Sequence, residues 1–424
     1  MELGAVVQKL GIAGSERILR TNWEQARSAM PEGGILFLSP QFIDWACEVA
    51  YLTKGMARSV GQAARRIAGD EALRTLAWYC HYNLVQETEG NVPVREWPEL
   101  RTALDKDAGM FYVVVLLSLT AEMNEVHRER NIPDAIVRDT VLDLKLCMNK
   151  EDFREDYGHW GISPRILAWL LLHWRGRLYR LGRLQFVPDV SRARLSVFRN
   201  RSDNTVLALS EMGMEYRADG QVNGAGDVWD REGAWTSFLS ATDTEIVGSP
   251  ISPRGYAIER QVRLAAGQWQ AVMSPGDPVL AVHIPAGSPM DFGTCGKSIA
   301  KALEFFPRYF PERLFVAFMC HSWILDAQFE ELLPESSNLV RFQKEVYLFP
   351  VKSSSAGVIK TVFGRKVTDI SSAPRHTTMQ RAFAKHIEGG GQFRGGGCFL
   401  FPQDFAWGEQ VYRSQALPFT PPDS

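Results

Sequence analysis

The chain has 424 residues, 45% of them hydrophobic and 23% charged, with 47 basic against 49 acidic side chains. That length exceeds what one ordinary core fills, so two domains are expected, with the composition of a folded rather than a disordered protein. A formal net charge of -2 supplies no electrostatic footprint for nucleic acid or for an anionic membrane, and neither is expected as a partner.

Glu2 and Lys9 fall where a signal peptide would carry its apolar run. The six cysteines (Cys47, Cys80, Cys147, Cys295, Cys320 and Cys398) stand singly, without a Cys-x-x-Cys pair. Neither a disulfide framework nor a metal site is expected, and a cytoplasmic location fits.

The first 180 residues read as helix. Residues 61–85 place Ala64, Ile67, Ala68, Leu73 and Leu76 at near-helical spacing. The apolar runs 111–119 and 166–174 are about half the ~20 residues of a spanning helix and read as buried helices. Asp134 is expected to cap a helix through Leu146, Pro133 and Pro164 to mark helix starts, and residues 152–160 to form a connecting loop.

Near Leu181 the periodicity changes. Runs at 195–198, 206–209 and 279–284 read as strands, with turns at 200–204, 219–220 and 275–278. Beyond Pro285 the expected order is a helix over 292–306, with Ile299, Ala300, Leu303 and Phe306 facing inward, and a strand over 314–319. A helix over 326–333, a strand over 342–349, a helix over 377–387 and a strand over 398–401 complete it. Strands first, then alternating helices and strands, imply a mixed sheet with helices packed on it.

Four blocks then carry a resemblance: Leu181-Gly-Arg-Leu-Gln-Phe186, Gly276-Asp-Pro-Val-Leu-Ala-Val-His-Ile-Pro285, Cys320-His-Ser-Trp323 and Ser336-Ser-Asn338. With Ser298, Ala302, Phe305-Phe306 and Phe310-Pro311, they resemble a bacterial family that pairs an N-acyltransferase N-terminal domain with a GNAT-like C-terminal domain. The resemblance covers most of residues 165–424 and is weaker over the helical half. It implies a two-domain chain of α+β to α/β class. Residues 1–180 would form a helical N-acyltransferase N-terminal-like domain. Residues 181–424 would form a GNAT-like mixed β-sheet flanked by helices, with the strand-rich stretch 187–277 inside it. It also implies acyl-CoA as co-substrate, bound where the strands at 279–284 and 314–320 part. The usual Arg/Gln-x-x-Gly-x-Gly/Ala loop is replaced here by Ala286-Gly-Ser-Pro-Met290.

Acyl transfer to an amine needs a positioned thioester, an acceptor nitrogen that has lost its proton, and a proton donor for the leaving thiolate. His283, near the C-terminal end of an expected central strand, is the candidate base. Cys320 and Ser322 share one face of the neighbouring strand and His321 takes the other, so Cys320 could meet His283 while Ser322 donates to sulfur. Ile284, Ala286, Gly287 and Ser288 would line the cofactor's loop, with Ser288 or Asp291 capping the next helix, and Trp323 would wall the cleft. Gly293 and Gly296 fit close ligand approach or tight packing. The glycine-rich segment 388–397 reads as a flexible hairpin or lid, and Arg177, Arg180 and Arg183 as a solvated edge.

The expected activity is therefore CoA-dependent N-acyl transfer to a small-molecule amine. A non-catalytic acyl-CoA-binding module and a cysteine-dependent hydrolase using Cys320 and His283 are the alternatives.

Overall fold

The computed structural model describes residues 1–86, 93–150, 154, 158–364, 366–367 and 369–419. The chain divides into two compact units, one of Met1–Leu181 with Pro285–Gly287 and one of Gly182–Ile284 with Ser288–Ser424.

The first unit is built from helices. The 61–85 periodicity covers two of them, α1 (Lys54–Gly69) and α2 (Glu71–Gln86). Asp70 leaves helical geometry between them, and its carboxylate accepts the amides of Ala72 at 2.8 Å and Leu73 at 3.1 Å, satisfying the open end of α2. In α3 (Ala108–Leu117) all ten residues are buried, so this helix is the unit's centre rather than one of its faces. The helical run Arg101–Glu129 is long and apolar enough to cross a membrane, but 72% of its apolar window is buried within the protein. Helix α4 (Asp134–Met148) has Pro133 at its N-cap and Asp134 as its first residue. Helix α5 (Pro164–Trp174) starts on Pro164, with Ser163 Oγ accepting the Ile166 amide at 3.4 Å. The loop expected at 152–160 falls largely outside the described residues.

The second unit carries the sheets. Strands β1 (Leu184–Val190), β2 (Leu195–Asn200), β3 (Val206–Ser210), β4 (Pro250–Ser252), β5 (Tyr256–Ala257) and β6 (Trp269–Met273) are followed by β7 (Pro278–His283). Then come α6 (Phe292–Tyr309), β8 (Ala317–Ser322), α7 (Asn338–Lys344), β9 (Tyr347–Pro350), α8 (Thr378–Glu388) and β10 (Gly396–Leu400). Within the second unit the mixed sheet runs β1–β7–β8–β10–β9, with β7 and β8 parallel and the other pairs antiparallel. The second sheet, β5–β4–β3–β2–β6, is antiparallel throughout.

Several boundaries differ from the sequence reading. The strand expected from Leu314 starts at Ala317, because Leu314 is 79% exposed and precedes the buried run. Phe342 belongs to α7, and the strand begins only at Tyr347; a buried aromatic-rich run carries no periodicity that separates helix from strand. The helix expected over 326–333 shrinks to Phe329–Leu332. On α6 the buried row is Cys295, Ser298, Ile299, Ala302, Phe305 and Phe306, leaving Ala300 and Leu303 half-buried.

His127 gives the first unit a measurable acid sensitivity. It is 4% exposed, neither ring nitrogen has a partner among the described residues, and its ring lies edge-on to Tyr179 at 5.6 Å. Burial lowers its pKa to about 4, and that of His81 likewise to about 4. A free histidine titrates near pH ~6.5, so between about pH 6.5 and 4 the unfolded chain takes up a proton that the folded chain refuses. Each such site lowers stability by up to about 1.4 kcal/mol per pH unit over that window. In denaturant melts from pH 7 to 4.5, His127→Leu should therefore lose stability less steeply than the parent, whatever packing offset separates them at pH 7.

Candidate functional site

The parallel ladder between β7 and β8 is short. Val279 pairs with Ala317, Leu280 with Phe318 and Ala281 with Met319, and there it stops. Both strands continue, but toward their outer neighbours. On one flank β7 stays paired with β1 as far as His283 opposite Gln185, and on the other β8 stays paired with β10 as far as Ser322 opposite Gly396. The two central strands therefore part at their C-terminal ends, leaving backbone amides and carbonyls that no ladder between them uses.

The segment entering α6 is anchored from beneath. Arg183, 8% exposed, donates from Nη2 to the Ser288 carbonyl at 2.7 Å and from Nε to the Pro289 carbonyl at 2.8 Å. The Arg183 amide itself donates to Ser298 Oγ at 2.8 Å. The arginine read as solvated is thus a buried clamp, a role set by which backbone passes over it. Asp291 caps α6, accepting the Thr294 amide at 2.8 Å, so the cap falls on Asp291 rather than Ser288. Gly296 serves packing: a Cβ there would lie 2.5 Å from the Trp407 ring, whose Nε1 donates to the Phe292 carbonyl at 3.0 Å.

His283 and Ile284 are half-buried at the end of β7. Ala286 and Gly287 are exposed in the three residues that group with the first unit, and Gly287 adopts φ +97°. Ser288 is exposed. Ser322 Oγ accepts the Ile324 amide at 3.4 Å and so starts the turn that carries Trp323. The Trp323 ring lies edge-on to Phe329 at 6.2 Å, against an aromatic cluster with Phe383 and Phe393. Cys320 is 5% exposed and stands opposite Cys398 in β10. The hydrogen bond between their thiols, together with burial, pushes the Cys398 thiol well above its usual range. His321 takes the exposed face, its ring edge-on to Phe349 at 5.5 Å.

The glycine-rich segment 388–397 is no free lid. The Arg394 amide donates to Asp326 Oδ2 at 2.7 Å, the Gly395 amide to Ser353 Oγ at 2.6 Å, and Phe393 is 1% exposed. Asp326, itself 1% exposed, has its carboxyl pKa raised by burial. A cleft of about 510 Å³ opens beside this segment, lined among others by Arg217, Asp219, Trp229, Gln328 and Arg394. Sequence reasoning missed it. Its only signals were the turn at 219–220 and the lone arginine between glycines.

Residues 178–400 match the family profile for the GNAT-like C-terminal domain, and residues 42–176 match that for the N-acyltransferase N-terminal domain. Comparison with curated proteins returned no matching relative. Among solved structures, an acyltransferase in complex with decanoyl-CoA is 21% identical, with 95% of this chain and 100% of that chain covered and a TM-score of 0.64. An acyltransferase in complex with decanoyl-CoA and teicoplanin is 20% identical, with coverage of 95% and 99% and a TM-score of 0.64. At that identity the likeness speaks for the fold.

The Arg183 clamp can be tested directly. Hydrogen bonds from a charged donor contribute about 1.5–3 kcal/mol. Arg183→Met should lower unfolding stability by about that much, and amide exchange at Thr294, which reports the Asp291 cap, should accelerate by an order of magnitude or more. Unchanged exchange would mean that the loop holds itself.

Proposed function

Since the chain belongs to the acyltransferase family in which an N-acyltransferase N-terminal domain precedes a GNAT-like C-terminal domain, we propose that it transfers an acyl group from acyl-CoA to the amine of a small-molecule acceptor. The observation that carries this reading is the parting of β7 and β8 beyond Ala281 and Met319. An extended chain with amides, such as the pantetheine arm of CoA, can take up the backbone groups left between the strands. The opening of α6 lies at the same end of β7. Its first amides and its dipole suit the CoA pyrophosphate, with Ser288 beside them.

In this reading the acceptor nitrogen attacks the thioester carbonyl and gives its proton to His283, directly or through a water. The C–S bond breaks as the tetrahedral adduct collapses, and the departing thiolate is steadied by a hydrogen bond from the Ser322 hydroxyl, whose oxygen still accepts the Ile324 amide, while the proton held on the His283 imidazolium passes to the sulfur or to solvent. Cys320 has no part in the reaction. Its thiol faces Cys398 within the sheet and lacks the helix N-terminus that would activate a thiolate.

Binding and chemistry separate by experiment. Any side chain at Gly287 would be strained by its φ of +97°, so Ser288→Glu is the cleaner probe of phosphate binding. Calorimetry with decanoyl-CoA should show binding to the parent and roughly tenfold weaker binding to Ser288→Glu, as expected for one charge near the phosphates. His283→Gln should keep that affinity and lose about 10²- to 10⁴-fold in turnover, with the acid limb of the pH–rate profile gone. Full turnover in His283→Gln, or activity loss that simply tracks a lowered Tm, returns His283 to a structural role.

A further inference from the structure

The cleft beside the 388–397 segment lies at the end of the sheet where β7 and β8 part. Gln392 and Arg394, which line it, run directly into β10, and Gly396 of β10 pairs with Ser322 at the end of β8. Its other wall comes from the insert between β3 and β4, through Arg217, Asp219 and Trp229.

The formal charges around the cleft nearly balance, so what decides its chemistry is the hydrogen-bonding capacity left over. Arg217 has none. Its Nε and Nη2 grip the two oxygens of Asp219 at 3.2 and 2.9 Å, and Nη1 donates to the carbonyls of Ala225 and Val228. The carboxylates are also spent. Asp219 accepts from Arg217, from Arg394 Nη1 at 2.9 Å and from the Gln221 amide. Asp230 accepts the amides of Ala218, Glu232 and Gly233. Asp326 beneath them accepts from Gln328 and from the Arg394 amide.

Among the charged side chains of the cleft, what remains is Arg394. Only Nη1 of its guanidinium is used, and Nε and Nη2 have no partner among the described residues. That pair of parallel N–H groups is the edge that matches a carboxylate bidentately. Its backbone is fixed by Asp326, so the fork is held in place rather than searching for a partner.

The second feature is Trp229, 61% exposed although it lines the cleft. Its ring is seated close on Gly224, where a Cβ would come within 2.7 Å, and Lys352 Nζ already lies 5.3 Å from the ring centroid. With that cation in place, a second cation is the wrong guest for the indole, while a planar apolar or aromatic group can still pack on it.

We propose that this cleft is an acceptor-recognition site for an aromatic or planar ring bearing a carboxylate, with the carboxylate on Arg394 and the ring on Trp229. The acceptor's amine would then reach toward the parted ends of β7 and β8, one strand away. The assignment of this guest as the acceptor rests on the acyl-transfer reading above; the binding itself does not.

Ligand-observed NMR and calorimetry with 3-phenylpropionate, 3-phenylpropionamide and inorganic phosphate test the binding alone. The carboxylate should bind about ten- to a hundredfold more tightly than the carboxamide, the range of a charged bidentate bond. Arg394→Gln, which keeps the backbone bond to Asp326, should erase that difference, and Trp229→Ala should weaken the carboxylate about three- to tenfold. Equal binding of carboxylate and carboxamide, or phosphate binding as tightly as the carboxylate with no effect of Trp229→Ala, overturns the proposal.

Turnover is the separate arm. Arg394→Gln should raise KM for an aromatic amino acid at least tenfold over its decarboxylated amine, with kcat and decanoyl-CoA affinity unchanged. If carboxylates bind through Arg394 but acyl-CoA does not bind at all, the acyl-transfer reading fails while the cleft stands. If acyl-CoA binds and KM ignores Arg394, the acceptor assignment fails instead.

Discussion

Three residue pairs between two parallel strands, ending at Ala281 and Met319, set the conditions for everything at the C-terminal edge of the sheet. A fully zipped β7–β8 pair would bury its own backbone groups and leave no opening. A pair that never met would leave His283 and Ser322 on unrelated surfaces. The limit is imposed from outside, because β1 holds β7 as far as His283 while β10 holds β8 as far as Ser322. Each central strand is committed to its outer neighbour at the point where it leaves the other, so the opening belongs to the resting sheet and needs no ligand to form it.

The loops above that opening are held by a few polar side chains buried beneath the backbone they secure. Arg183 binds two successive carbonyls of the segment entering α6, and Asp291 closes the helix that follows. On the other flank Asp326 holds Arg394 through its backbone amide, and Ser353 holds Gly395. A glycine-rich stretch with two such anchors and a buried Phe393 has little freedom left. A side chain carried on backbone anchored in this way is ordered on folding rather than on binding.

The cleft lined by Arg394 and Trp229 and the opening between β7 and β8 draw on different parts of the chain. The opening uses the β7–α6–β8 unit common to the GNAT-like resemblance. The cleft adds the insert between β3 and β4 and the segment before β10. Under the proposed assignments, cofactor handling and acceptor choice rest on separate segments of the chain.

By itself the sequence determined the helical first half, the switch to strands near Leu181, and the place of His283 and Ser322 at the ends of β7 and β8. Those follow from local periodicity, which depends only on residues a few positions apart. It also began a helix at Thr377, which in the structure is the N-cap of α8, in a capping box with Gln380. Only the tertiary structure decided that Asp70 splits one helical pattern in two, since an aspartate inside a helix and one that caps the next differ only in where the chain turns. It decided that Arg183 is a clamp rather than a solvated edge, that Cys320 faces Cys398, and that Arg394 keeps two donors without a partner among the described residues beside Trp229. Each of those pairs residues from about 65 to more than 150 positions apart. No spacing in a linear pattern carries such a pairing; it exists only once the sheet order has brought the two strands of chain together.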